Sequence, residues 1–284
     1  MIYFPDIGSY GRLGNQLFQY AASRSLALHH NTKLYLGPLE NKSWHGQKCL
    51  LKYFNINYCD ELCHSPKYYW EENNPFEINK NFYGLDDNTL LKGFFQSIFY
   101  FQKHINIIKK ELTTKNCDIT YLSYLRNKYK KYLVSIHIRR GDNTDGTDPS
   151  QKILIDHYKI GGKYEEYLKS AVNKFKNAHF LIFTGGSRIN NIDNDINWCH
   201  NYIRSLKWWE NSYTISESNS TLIDFNLISG CDHNILSHVS SFGWWAAYLN
   251  KNSNAKRVAP LRYHPDIKNY THREMFYPKD WILL

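Results

Sequence analysis

From Tyr132 onward the chain alternates short apolar runs of strand length with longer stretches of helical period, and few folds accommodate that alternation. Tyr132–Ile138, Ala178–Phe183 and Asn234–Ser237 read as strands, and Lys163–Phe175, Ser220–Ser229 and Phe242–Leu249 read as helices. Strands alternating with helices predict an α/β fold built on a parallel sheet, with helices on both faces. The beginning of the chain has the same grammar. Ile2–Ile7 reads as a strand, Gly8–Gly14 as a glycine turn, and Asn15–His30 as a helix with Leu17, Phe18, Ala21, Ala22 and Leu26 near one face. A second strand is expected at Lys33–Leu36, and helical spacing returns at Ile98–Leu112 and Ile119–Lys130. Between them, Asn41–Asn88 is polar and aromatic without a clear period. The basic, tyrosine-containing run Arg126–Lys131 separates the halves and predicts two domains, 1–130 and 131–284. Pro260–Leu284 is expected to be an ordered tail packed through Tyr277 and Trp281.

With 42% hydrophobic and 16% aromatic residues, the 284-residue chain can fill a real core, which excludes a disordered protein. A formal charge of +9 favours anionic partners: nucleotides, nucleic acid or an acidic membrane face. The basic residues are scattered and form no zinc-finger or RNA-recognition signature, which argues against nucleic acid. None of the six cysteines forms a Cys-x-x-Cys pair, so they read as thiols of a reducing compartment. Cys59, Cys63 and His64 lack a second cluster to complete a tetrahedral set, and no metal is expected. Met1–Asp6 shows neither the basic start nor the apolar core of a signal peptide, so none is expected, and no stretch offers the roughly 20 apolar residues of a membrane span. A cytoplasmic protein is expected, its charge permitting peripheral contact with an anionic membrane.

Chemistry is concentrated in a few places. His137-Ile138-Arg139-Arg140-Gly141-Asp142 follows the strand Tyr132–Ile138 into a loop. Guanidinium forks bind phosphate oxygens in pairs, and the carboxyl edge of an open α/β sheet is where ligands usually sit. A solvated basic turn paired with Asp142 is the competing reading. The turn Gly8-Ser9-Tyr10-Gly11-Arg12-Leu13-Gly14-Asn15-Gln16 brings backbone amides and two side-chain amides to a helix start, but it matches neither the dinucleotide fingerprint nor a P-loop. Asp224 sits among Leu222, Ile223, Phe225 and Leu227, where a carboxylate needs donors: either a structural network or the two adjacent N–H groups of a guanine. Ser240 and Ser241 head the helix Phe242–Leu249, either as an N-cap pair or as a phosphate cradle.

Taken in order, Gly11–Ala22, Gly93-Phe94-Phe95-Gln96-Ser97, His137–Asp142, Asn197-Trp198-Cys199 and Ser240–Ala247 resemble the motifs of family 11 glycosyltransferases, the α-1,2-fucosyltransferases. The resemblance implies a GT-B fold of two Rossmann-like domains facing across a cleft. It further implies an inverting, metal-independent enzyme without a cofactor, which moves fucose from GDP-fucose to a galactoside hydroxyl of an oligosaccharide or glycolipid. It places Arg139 on the β-phosphate and has Arg140 supporting it or bound to Asp142. His137 would lie near the nucleotide, Asp224 on guanine, and Ser240 and Ser241 on the diphosphate. Gly14, Asn15 and Gln16 would form the acceptor side. Asp142 is the first candidate for a catalytic base, with Asp145 and Asp148 behind it; alternatively, the departing phosphate takes the proton.

The chain departs from the family pattern in its second half. Thr184-Gly185-Gly186 stands where Ser-Asp-Asp is common, Ser237-His238-Val239 where Ser-Asn is usual, and Phe242-Gly243-Trp244-Trp245 where Phe-Ser-Trp-Trp is usual. A different nucleotide sugar, or a glycan-binding descendant without catalysis, are the alternatives these departures leave open.

Overall fold

The structure, a computed structural model, describes residues 1–72, 78–144, 146, 151–185, 192–217, 219–262 and 276–284, with 192 and 193 as backbone only. Two compact units result: Met1–Asn116 with Thr271–Lys279, and Cys117–Tyr270 with Asp280–Leu284.

The first unit holds a parallel sheet of β1 (Ile2–Tyr3), β2 (Leu34–Tyr35), β5 (Tyr68–Glu71) and β6 (Thr89–Lys92) in the order β2-β1-β6-β5. A hairpin of β3 (Ser43–Trp44) and β4 (Gln47–Lys48) stands apart from it. Helix α1 (Leu13–His29) follows β1, and α2 (Ile105–Glu111) comes near the end of the unit. The sequence predicts one apolar face on α1, whereas the helix is buried almost all round. Two of its polar residues share one partner: Arg24 pairs with Glu111 at 2.8 Å, and the Tyr20 hydroxyl donates to the same carboxylate at 2.7 Å. The expected helix at Ile98–Leu112 is narrower. Single 3-10 turns at Ile98–Tyr100 and Gln102–His104 precede α2.

The second unit is a six-stranded parallel sheet of β7 (Tyr132–Ile138), β8 (Ala178–Thr184), β9 (Tyr213–Ile215), β10 (His233–Ile235), β11 (Arg257–Ala259) and β12 (Ile282–Leu283). Its order is β12-β11-β10-β7-β8-β9, every neighbouring pair parallel. Its helices are α3 (Thr120–Tyr129), α4 (Lys152–His157), α5 (Lys163–Val172), α6 (Ile192–Ser205), α7 (Thr221–Gly230) and α8 (Ser241–Tyr248). Val134, Ile136 and Ile138 on one face of β7 share a core with Tyr164, Leu168 and Ile203 of α5 and α6. The tail is ordered where it is described: Tyr277 and Trp281 are buried, and β12 adds to the sheet edge.

The domain boundary falls at 116/117 rather than at 130/131. Helix α3 belongs to the second unit, because Arg126 donates to the Gly230 carbonyl at 2.9 Å and pairs with Asp232 at 3.1 Å. Gly230 is close to Leu122 on α3, and a Cβ there would lie 2.7 Å from its Cδ1. No helix among the described residues is long and apolar enough to cross a membrane.

Candidate active site

In each unit the sequence motifs sit at the carboxyl edge of the parallel sheet. In the second unit the chain leaves β7 towards β8 and β9, then returns to lay β10 on the other side of β7. The switch point is therefore between β7 and β10, and the loops at their carboxyl ends carry His137–Asp142 and Ser237–Ser241. In the first unit the glycine turn and Gly93–Ser97 emerge from the carboxyl ends of the neighbouring strands β1 and β6. Open α/β sheets bind ligands in the crevice at such a point.

Strand alternation sends the two arginines to opposite faces. Arg140 continues the row of Val134, Ile136 and Ile138 towards α6, where its Nε donates to Asp195 at 3.1 Å and its guanidinium lies 3.9 Å over the Trp198 ring. Arg139 continues the row of His137. Its backbone N–H donates to Ser237 Oγ at 3.0 Å, its Nη1 to the carbonyls of Gly185 at 3.0 Å and Arg140 at 3.2 Å, and its Nη2 is paired with Asp142. The expected link between Arg140 and Asp142 is thus replaced: Asp142 holds Arg139, and Asp195 holds Arg140. Asp145, Asp148 and Gly186 lie outside the described residues.

His137 is 6% exposed, and its Nδ1 has no hydrogen-bond partner among the described residues. Burial first, and the Arg139 charge second, push its imidazolium down to about 3, so the ring is neutral at pH 7. Phe242 lies 5.5 Å from it, ring to ring. Ser240 caps α8, its hydroxyl accepting from the Gly243 N–H at 3.0 Å, and Ser241 opens the helix beside it. The N-cap reading of Ser240 therefore holds in this structure. Beneath this loop, Tyr158 OH and Ser237 Oγ are 2.7 Å apart, and His157 Nε2 is 3.2 Å from His238 Nδ1.

Asp224 is engaged in a network. Ser216 Oγ donates to its Oδ1 at 2.7 Å, and Asn219 Nδ2 donates to Ser216 at 2.8 Å. Burial raises the Asp224 carboxyl, and these two donors oppose the shift. Ser216, Glu217, Asn219 and Tyr121 line an adjoining cavity of about 550 Å³, within the size range of small-ligand sites.

In the first unit Gln16 is fully buried: Nε2 donates to the Gly11 carbonyl at 3.1 Å, and Oε1 accepts from the Leu50 N–H at 3.2 Å. Its amide serves the unit's own loops. Asn15, half-buried one position earlier, accepts from Gln96 Nε2 at 2.7 Å, so the two first-unit motifs join side by side. Gly14 is buried in the first turn of α1. Gln19, one turn beyond Asn15, donates to the Gly93 carbonyl at 3.2 Å.

Asp195, Ser216 and Ser237 escape the sequence reading. Asp195 precedes Trp198 by one helical turn, and that spacing marks a shared face beside Arg140. Ser216 carries no comparable mark, and Ser237 is marked only by the family pattern and not as a partner of Arg139. No cluster of metal-binding side chains occurs among the described residues.

Two Rossmann-like units, each with its motifs at the carboxyl edge of a parallel sheet, define a glycosyltransferase fold of the GT-B class. Solved structures with this fold include the fucosyltransferase NodZ from Bradyrhizobium, with 11% identity, a TM-score of 0.51, and coverage of 87% of this chain and 93% of that one. The chain belongs to glycosyl transferase family 11, whose sequence profile matches residues 4–284. An α-1,2-colitosyltransferase of Escherichia coli is 28% identical, across 88% of this chain and 89% of its own. The O-antigen biosynthesis glycosyltransferase WbnK of the same species is 26% identical, across 89% and 92%. A galactoside α-(1,2)-fucosyltransferase 1 of Alouatta caraya is 25% identical across 87% of this chain, which spans 64% of that longer protein.

Proposed function

We propose that the chain is an inverting α-1,2-fucosyltransferase that moves fucose from GDP-fucose to a galactoside hydroxyl without a metal ion. The observation that carries this reading is the position of Arg139, directly after β7 and two residues beyond buried His137, in the loop at the switch point of the second sheet. As the sugar–phosphate bond breaks, negative charge grows on the β-phosphate. A guanidinium held in place by Asp142, Gly185 and Arg140 meets that charge without reorganising. Neutral His137 offers an imidazole nitrogen to the same ligand, and Ser240, Ser241 and the first amides of α8 receive the diphosphate. The guanine occupies the cavity beside Ser216 and Asn219, read by Asp224 through that network. Asn15 and Gln96, on the carboxyl edge of the first sheet, receive the acceptor, and Asp142 positions Arg139.

A second donor has specific support in the colitosyltransferase relative, because colitose lacks a hydroxyl that fucose carries. A site that hydrogen-bonds this hydroxyl rejects the deoxy sugar strongly, by up to about 10⁴-fold, whereas an apolar pocket distinguishes the two weakly. Calorimetric titration with GDP, GDP-fucose, GDP-colitose, GDP-mannose and UDP-galactose, with chelator present, is the test. Selective binding of GDP-fucose and transfer to lactose support the reading. Tighter binding of another nucleotide sugar replaces the donor, and binding of glycan without nucleotide leaves a non-catalytic descendant.

A further inference from the structure

A formal charge of +9 calls for an anionic partner, and one surface of the first unit gathers lysines beside exposed apolar side chains. We propose that the face formed by α2 and the paired segments 52–55 and 113–115 docks the protein on an anionic lipid surface. The inference stands on this unit alone and does not depend on the transferase reading above.

The two segments run antiparallel through the bridge between Phe54 and Thr114. The Asn55 N–H donates to the Thr113 carbonyl at 3.0 Å, and the Lys115 N–H to the Tyr53 carbonyl at 2.8 Å. Phe54 is fully buried, so backbone alternation turns Tyr53 and Asn55 outward, and Tyr53 is 44% exposed. Thr113 and Lys115 are exposed on the partner segment, where Thr113 Oγ1 accepts from Asn55 Nδ2 at 2.9 Å. Helix α2 leads into this pair. Its Ile108 and Leu112 are buried, and exposed Ile107, Lys109 and Lys110 occupy the rest of its circumference. The Thr113 hydroxyl donates to the Lys110 carbonyl at 2.7 Å, which joins the helix end to the segments.

Lys52, Lys109, Lys110 and Lys115 thus belong to one face. The Lys115 ammonium donates to the Lys52 carbonyl at 2.8 Å and keeps two further N–H donors, and Lys52 Nζ lies 5.4 Å from the Tyr53 ring centroid. The acidic residues nearest in the chain are engaged elsewhere. Glu111 turns inward to Arg24 and Tyr20, and Asp118 accepts from the Thr120 N–H and hydroxyl at the start of α3. The face therefore complements anionic headgroups, whose potential acts on lysines within a Debye length of the surface. Apolar chains among the lysines favour lipid over nucleic acid: Ile107 is 43% exposed, and a tyrosine ring with a polar tip suits the headgroup level. With only seven residues in α2, the contact is peripheral, its strength the sum of buried apolar area and charge attraction.

Co-sedimentation with phosphatidylcholine vesicles, without or with about 30% phosphatidylglycerol, across about 0.05–0.5 M salt, is the test. The expected result is partitioning to the anionic vesicles that weakens as salt rises. Lys109→Gln combined with Lys110→Gln should lower it about 25-fold, or about fivefold per charge, and Tyr53→Ser about threefold to tenfold. Lys251→Gln with Lys256→Gln removes the same charge from exposed positions of the second unit and should leave partitioning within about twofold. Equal losses in the two double variants would make overall charge the cause and refute the face. Equal partitioning to neutral vesicles, or none to anionic vesicles at low salt, overturns the proposal. Capture of a single-stranded oligonucleotide through the same lysines, without vesicle binding, gives the face to nucleic acid and overturns it too. If Tyr53→Ser fails to fold, the lysine variants and their control decide. These readouts involve no turnover, so failure here and failure of the transferase reading are separate results.

Discussion

Gly243 and His137 are fitted to each other: a Cβ on Gly243 would lie 2.8 Å from His137 Nδ1 and 3.3 Å from Ser240 Oγ. The serine of the family pattern at this position would place an atom against the buried ring, so the departure in sequence belongs with the position of His137. In an unconstrained helix, Gly→Ala is worth about 1 kcal/mol of stability. Here the clash outweighs it, and Gly243→Ala is expected to destabilise by about 1–2 kcal/mol and to weaken GDP binding. In a His137→Ala background the same substitution becomes stabilising. A double-mutant cycle by urea unfolding measures the change of sign, and additive effects would refute the fit.

Val239 stands in the left-handed region, with φ of +52°, immediately before the Ser240 cap. A β-branched residue pays about 1–2 kcal/mol for that conformation, which Asn and Gly adopt readily. The family pattern has Ser-Asn just before the serine pair, and Val239→Asn is expected to raise the unfolding temperature by several degrees. An unchanged or lower temperature would show that side-chain packing at Val239 outweighs the backbone term.

These two positions show where sequence was legible and where it was not. Strand β7 and its odd and even faces could be read from Tyr132–Ile138, because period-two alternation and a continuous apolar row are local properties. The assignment of Asp142 and Asp195 to the two arginines could not, since it depends on which helix covers which face, a non-local matter. The first sheet was half legible: β5 and β6 lie within or just beyond the stretch that carries no period, and Tyr68 and Tyr69 of β5 are exposed. The glycine turn and Gly93–Ser97 were visible as motifs, but only the strand order shows that they leave neighbouring strands, β1 and β6.

Acid should loosen the fold through His137. Its folded-state value, lowered from 6.5 to about 3, means that the unfolded chain takes up the proton first. Its contribution is complete above pH 6.5 and is lost as pH falls towards 3, at no more than about 1.4 kcal/mol per unit. His179, lowered to about 4 by burial and by Lys131 and Lys128, adds in the same direction. Glu72 acts oppositely: with a folded value raised from 4.5 to about 7, its stabilising effect is lost as pH rises through 7. Urea unfolding of wild type and His137→Gln between about pH 4 and 7 tests the assignment, the variant showing the shallower acid slope. Parallel curves would place the acid sensitivity elsewhere.

Arg140 and Asp195 form a pair whose side chains are 14% and 8% exposed, with Trp198 stacked on the guanidinium. Removing one partner leaves a buried charge, so Asp195→Ala is expected to cost about 3–5 kcal/mol. Arg140→Lys keeps the charge but loses the planar contact with Trp198 and the directed Nε bond, at a smaller cost of about 1–2 kcal/mol. Chemical unfolding of both variants gives the comparison. Equal losses would mean that the stacking, rather than the ion pair, anchors α6 to the loop after β7.

Asp142 separates a positioning role from a basic one. Bound to Arg139 Nη2, with its own backbone carbonyl held by Gln151, it is placed to aim the guanidinium. Transfer of a proton to this carboxylate would break its ion pair with Arg139 just when charge builds on the phosphate. Asp142→Asn retains an oxygen that accepts from Nη2 and removes the charge. Its kcat is therefore expected to fall only about 10-fold to 30-fold, with the wild-type pH dependence preserved and GDP affinity changed little. Arg139→Lys, which cannot keep the fork to Gly185 and Asp142, should lose about 10²–10³-fold in kcat, a conservative exchange that costs more than the loss of a carboxylate beside it. If Asp142→Asn instead abolished the pH dependence of kcat, Asp142 would be the base rather than a positioning residue.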